Sequence, residues 1–161
     1  MNAELLSIAP YEWAEVLTAL FCGTIVGIER QIRGKPVGIR TSTLIILGTY
    51  LFLKTSLLLQ GDTIDDSRVI GQIVTGIGFL GAGVMLTRDG LVVGVTSAAA
   101  IWVLAALGVM IATGHLIAAQ KLAVLVVAIL YGVEVLEEHT VSLSRGVHAR
   151  VRRYSKRNTQ D

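Results

Sequence analysis

Apolar residues along the chain gather into five unbroken stretches separated by short polar segments. The first runs from Trp13 to Ile28, the second from Thr41 to Leu59 and the third from Val69 to Leu86. The fourth covers Val95 to Ala112 and the fifth Leu116 to Leu136. Each approaches the ~20 residues that cross a ~30 Å hydrocarbon layer as a helix. None alternates apolar and polar positions as a barrel strand must, so the backbone has to satisfy itself within helices. The pattern predicts an all-α fold, a polytopic integral membrane bundle of about five transmembrane helices. An N-terminal segment over 1–12, a five-span membrane domain over 13–136 and a basic tail over 137–161 complete the expected organisation.

Composition agrees with the pattern. Hydrophobic residues make up 53% of the chain and charged residues 16%, against about 25% charged in a soluble domain. The charge distribution adds orientation. Arg30, Arg33, Lys35 and Arg40 lie between spans one and two, and Arg88 lies between spans three and four. Arg145, Arg150, Arg152, Arg153, Lys156 and Arg157 follow span five. The other side holds Lys54, Arg68 and Lys121 beside Asp62, Asp65 and Asp66. The positive-inside rule then puts the N-terminus outside and the tail in the cytoplasm, as an odd number of spans also requires. Glu4, Glu12 and Glu15 stand where a cleavable leader would carry positive charge, so span one is expected to be retained. The tail reads either as an interfacial helix on anionic lipid or as an unfolded segment. Cys22, the single cysteine, is expected to be a buried small residue.

Small residues make span three distinctive. Residues 71–83 read GQIVTGIGFLGAG, and glycine in a helix costs about 1 kcal/mol relative to alanine in water. On an ideal helix Gly71, Thr75, Gly78 and Ala82 share one narrow face, with Ile70, Ile73, Ile77, Leu80 and Val84 roughly opposite. The expectation is a small packing face inside the bundle and a bulky face toward lipid. Gln72, Gly76 and Gly83 flank the two faces, and Gln72 should find a hydrogen-bond partner within the bundle. Pore lining or a broken helix is the alternative use of these glycines. Span one carries a comparable seam of Ala19, Gly23 and Gly27, continued outward by Glu15, and span four offers Ala98, Ala105 and Ala112. Span three is therefore expected to organise the bundle and span five to surround it.

Charged groups collect at the inner boundary. Glu29 and Arg30 end span one, Arg40 and Thr41 open span two, and Gly34, Pro36 and Gly38 make a tight turn between them. The cluster reads as a topology anchor of snorkelling side chains or as an anion or partner-protein site, which Arg88 and Asp89 would join. Asp62, Asp65 and Asp66 lack calcium-loop spacing and read as a solvated loop. Glu134 and Glu138 suit a hydrated interface, and His115, His139 and His148 are too scattered for a metal site. Trp102 is expected to pack against a small-residue seam. No nucleotide loop, hydrolase triad or heme motif is present, so neither cofactor nor nucleic acid is expected.

Three long stretches carry a family resemblance. GIERQIRGKPVGIRT at 27–41, QIVTGIGFLGAGVML at 72–86 and TSAAAIW at 96–102 are similar to the signature segments of MgtC/SapB membrane proteins. They occur in the family's order across residues 13 to 136. The resemblance implies a bacterial cytoplasmic-membrane protein of about five spans and does not imply an enzyme. It also implies a role in growth at low magnesium or in intracellular survival, with the F-type ATP synthase as an inhibited partner. The matching motif positions are Glu29, Arg30, Gly38, Arg40, Thr41, Gln72, Gly76, Gly78, Gly81, Gly83, Thr96, Ala99 and Trp102. Asp89 takes the acidic position of the RxG turn, where MgtC resembles it with a glutamate. MgtC-type virulence proteins add a soluble C-terminal domain similar to ACT domains, so this chain is expected to resemble the short SapB-like branch. Two functions follow from these residues: a regulator acting by helix contact with a membrane partner or a second copy, and a small channel or transporter lined by span three and Gln72. An enzyme at the cytoplasmic face using Glu29, Asp89 and the arginines is disfavoured, so no enzyme is expected.

Overall fold

The computed structural model describes residues 7–59, 66–88 and 91–139. Five helices account for most of them: α1 (Trp13–Ile32), α2 (Ile39–Leu58), α3 (Asp66–Gly83), α4 (Val95–Ala112) and α5 (Leu116–His139). Each contains or closely overlaps one predicted stretch, and α4 has the predicted bounds. Three of them, Ile39–Leu58, Val95–Ala112 and Leu116–Leu136, are long and apolar enough to cross a membrane on composition alone. α1 carries Glu15, Glu29 and Arg30, but all three are buried against other helices. Burial against protein is how a charge-bearing helix is accommodated at membrane depth.

The chain divides after Val127 into two units. The first holds α1 to α4 and the start of α5; the second holds the rest of α5. In the first unit α2 is central, packed by α1 on one side and by α4 on another, while α3 packs chiefly on α4. Glycines set these approaches. A Cβ on Gly23 would lie 2.5 Å from Thr43 Cα, and one on Gly27 would overlap Ile39 Cα. On α4, a Cβ at Gly108 would meet Ile46 O and Thr49 Cβ at 2.7 Å each. Small residues thus let backbones touch where the driving force is packing rather than water exclusion. Cys22 and Val26 of α1, Ile46 and Leu53 of α2, and Leu104 and Ile111 of α4 are fully buried around these contacts. Cys22 occupies the buried position expected of it.

Span three departs from expectation. α3 meets α4 through Ile77 and Gly81, which are buried, and a Cβ on Gly81 would make ordinary contact with Ala98 at 3.6 Å. Gly71, Thr75, Gly78 and Ala82 are exposed, and Phe79 is 81% exposed. The bulky face turns partly inward and the small face outward, the reverse of the predicted arrangement. The bundle is organised instead by the α1–α2–α4 trio. The part of α5 in the first unit buries Ala119 and Ala123, one helical turn apart, and exposes Ile117, Leu122, Val124 and Leu125.

The turn after α3 is a short antiparallel hairpin, β1 (Leu86–Arg88) with β2 (Leu91–Val93), in the register Leu86↔Val93, Thr87↔Val92 and Arg88↔Leu91. No strand was expected here. Gly94, at φ +91°, then starts α4 in a left-handed conformation against Val84 O, where a side chain would not fit.

Candidate functional site

Two buried polar clusters sit on one side of α1, at its two ends. The first is formed by the Glu29–Arg30 pair. Arg30 is 3% exposed and its Nη2 donates to Ser97 Oγ on α4 at 2.9 Å. Its Nη1 lies 3.8 Å from Glu29 Oε2, and Arg33 Nε lies 3.0 Å from Glu29 Oε1. Glu29 is 7% exposed, and neither of its carboxylate oxygens has an aligned hydrogen-bond donor, so charge alone holds it. Arg30 therefore ties α1 to α4 across 67 positions of sequence.

The turn beside this cluster is built by its residue types. α1 ends in a Schellman motif: Lys35 N donates to Arg30 O at 2.9 Å and Gly34 N to Gln31 O at 3.1 Å. Gly34 supplies the required positive φ of 61°. Val37, a β-branched residue at φ 70°, is an outlier whose carbonyl accepts Ser42 Oγ at 3.0 Å. Gln31 Oε1 accepts from Ile39 N at 3.3 Å and closes the entry to α2.

The second cluster was not anticipated as a unit. Glu15, 4% exposed, accepts from Tyr50 OH at 2.7 Å through Oε2 and from Lys54 Nζ at 2.6 Å through Oε1. Tyr11 stacks edge-on against Tyr50 with ring centroids 6.3 Å apart, and its hydroxyl pairs with Thr55 Oγ1 at 2.7 Å. The sequence pattern marks Glu15 as part of an acidic flank and the outer end of a seam, and Lys54 as a charge on the outer side, without joining the two. Their separation of 39 positions hides the pairing, although an ionisable residue inside a span was signal enough to look for a partner. Tyr50→Phe, which removes a donor to a buried carboxylate, is expected to lower stability by about 2 kcal/mol. Loss of helicity on titration with a denaturing detergent would measure it, and an unchanged midpoint would contradict the role.

The remaining candidates separate. Arg40 is exposed on the first turn of α2 and joins no described ion pair. Gln72, Gly76, Gly78 and Gly83 are exposed on α3, with nothing within 4 Å of a Cβ at the three glycines; Gly81 alone is packed. Gln72 thus faces away from the bundle, against expectation. Thr96 is exposed while its neighbour Ser97 is buried and bonded to Arg30, so the motif's working hydroxyl lies one position on. Trp102 is 56% exposed rather than packed on a seam. Asp89 lies outside the described residues, as do Asp62, Asp65 and the tail from 140 onward. His115 Nδ1 pairs locally with Thr113 Oγ1 at 3.0 Å.

Comparison with known proteins places this geometry in a family. YhiD of Escherichia coli (strain K12), named as a proposed magnesium transporter, is 47% identical over 106 residues, covering 62% of this chain and 49% of its own. The protein MgtC of Brucella abortus (strain 2308) is 40% identical over 111 residues, covering 69% of this chain and 46% of its own. The protein SrpB of Synechococcus elongatus is 38% identical over 112 residues, 62% of each chain. The chain thus spans about half the length of the first two relatives. No solved structure matches it significantly. The MgtC family profile matches residues 16–139, from the first turn of α1 to the end of α5, and the chain belongs to the MgtC family.

Proposed function

We propose that this chain is a non-enzymatic membrane protein that works by helix-to-helix contact with another membrane protein, in a process linked to magnesium limitation or membrane energetics. The outward small face of α3 carries this reading. The α1–α2–α4 interior is filled by fully buried side chains, including Ala19, Cys22, Val26, Ile46 and Leu104, which leaves no room there for a path through the described part of the chain. Gly71, Thr75 and Gly78 instead turn outward, and a Cβ at either glycine would meet nothing within 4 Å. Among the described residues nothing covers this face, which suits close packing by a helix from another molecule. The F-type ATP synthase is the partner that the family resemblance implies. The magnesium link rests on the names carried by the relatives. The membrane is the bacterial cytoplasmic one, with the Arg30–Arg40 turn inside and the N-terminus outside, in keeping with the positive-inside rule.

Transport is the second reading, favoured by the name of YhiD and by the outward position of Gln72. Gly78→Leu separates the two. Because no atom lies within 4 Å of the added Cβ, the variant is expected to fold normally and to co-purify with its membrane partner about tenfold less, the equivalent of about 1.4 kcal/mol. Undiminished co-purification would refute contact through α3. Proteoliposomes of the purified chain are expected to pass magnesium no faster than empty vesicles. A flux abolished by Gln72→Leu would establish transport in its place.

A further inference from the structure

Between the C-terminal end of α2 and the N-terminal end of α3 runs an open groove of about 580 Å³. Leu51, Phe52, Leu59 and Val69 form its apolar walls, and Thr55, Ser56 and Arg68 add the polar atoms. We propose that this groove binds one phospholipid, with an acyl chain along the apolar walls and the phosphate on the Arg68 guanidinium. Two observations specify the occupant. Phe52 and Leu59 are largely exposed among the described residues, on a helix long and apolar enough to cross a membrane, so the walls suit an apolar chain from the bilayer. Arg68 is exposed at the groove and, among the described residues, has no acidic partner, although other basic side chains such as Lys54 and Arg33 do.

The chemistries of wall and cation match the two halves of one molecule. Guanidinium takes phosphate oxygens through a planar fork of N–H donors, which an uncharged detergent or a free fatty alcohol cannot answer. Thr55 is not available to the headgroup: its hydroxyl donates to Leu51 O at 2.6 Å and pairs with Tyr11 OH. That double engagement keeps the wall closed behind the chain. Ser56 is then the small residue that leaves width for the acyl chain.

Native mass spectrometry of the full chain in neutral detergent tests the assignment. The probes are phosphatidylglycerol, diacylglycerol with the same acyl chains, and inorganic phosphate. Wild-type protein is expected to retain phosphatidylglycerol about fivefold better than diacylglycerol, the value of one basic contact near a membrane surface. Arg68→Gln is expected to bring phosphatidylglycerol down to the diacylglycerol level, and Ser56→Trp to reduce both lipids. Equal retention of the two lipids by wild-type protein would overturn the proposal without reference to any variant. Phosphatidylglycerol retention unchanged in both variants would also overturn it, as would displacement of the lipid by inorganic phosphate.

Discussion

Arg30→Ala is expected to destabilise the bundle by about 3–5 kcal/mol, the cost of removing one partner from a buried ion pair. The penalty comes less from a lost bond than from what remains. Glu29 stays buried at the end of α1 without an aligned donor, and among the described residues Arg33 is the one cation left within 4 Å of it. Ser97 loses its only described partner at the same time, and α1 loses its tie to α4. Arg30→Lys is not expected to rescue stability, because a single ammonium cannot both reach Ser97 Oγ and lie beside Glu29. The double replacement of Glu29 by Leu and Arg30 by Met should recover most of the loss, since well-packed apolar residues often substitute for a buried pair at little cost. Unfolding free energies in a mixed-detergent titration provide the measurement. A change below about 1 kcal/mol for Arg30→Ala, the range of surface pairs, would show that the pair is hydrated rather than buried.

Gly27→Leu is the second large effect, at about 3 kcal/mol, the upper end of overpacking penalties. The obstacle is backbone, Ile39 Cα and N, which no rotamer change can move aside. The helices must separate, and the Arg30–Ser97 contact three residues further along α1 separates with them. Gly108→Leu meets Ile46 O and Thr49 in the same way on another side of α2. Gly81→Ala, by contrast, adds only an ordinary contact with Ala98. Thermal unfolding of this series in one detergent is expected to order the variants with Gly27→Leu and Gly108→Leu far below Gly81→Ala. Equal stabilities across the series would mean that the close approaches do not hold the bundle together.

Much of the fold was legible from residue patterns. Five apolar stretches of 16 to 21 residues became five helices of 18 to 24, because a run of that length free of alternation has few other ways to satisfy its backbone. The seam of Ala19, Gly23 and Gly27 on α1 was legible too, since its i+4 spacing, bounded by Glu15 and Glu29, leaves one face for a neighbour. The orientation of α3 was not. A stripe of small residues marks a face made for close packing, but not whether the partner belongs to the same chain. In α4 the difficulty is different: the helix is apolar on every side, so Ser97 rather than Thr96 turning inward had no periodic signal. The Glu15–Tyr50–Lys54 cluster depended on a tertiary contact between α1 and α2 that spacing along one helix cannot reveal. Likewise β1 and β2 are three residues each, below the length at which alternation can be read.

The outward face of α3 carries the proposed function through contact, and it can be examined directly in native membranes. A photo-crosslinking amino acid placed in turn at each position from 71 to 83 would report what each position touches. Crosslinks to a separate polypeptide are expected at Gly71, Thr75 and Gly78, with Ile77 and Gly81 yielding only intrachain products with α4. Intermolecular crosslinks at Ile77 and Gly81, with none at Gly71, Thr75 and Gly78, would contradict contact through the small face.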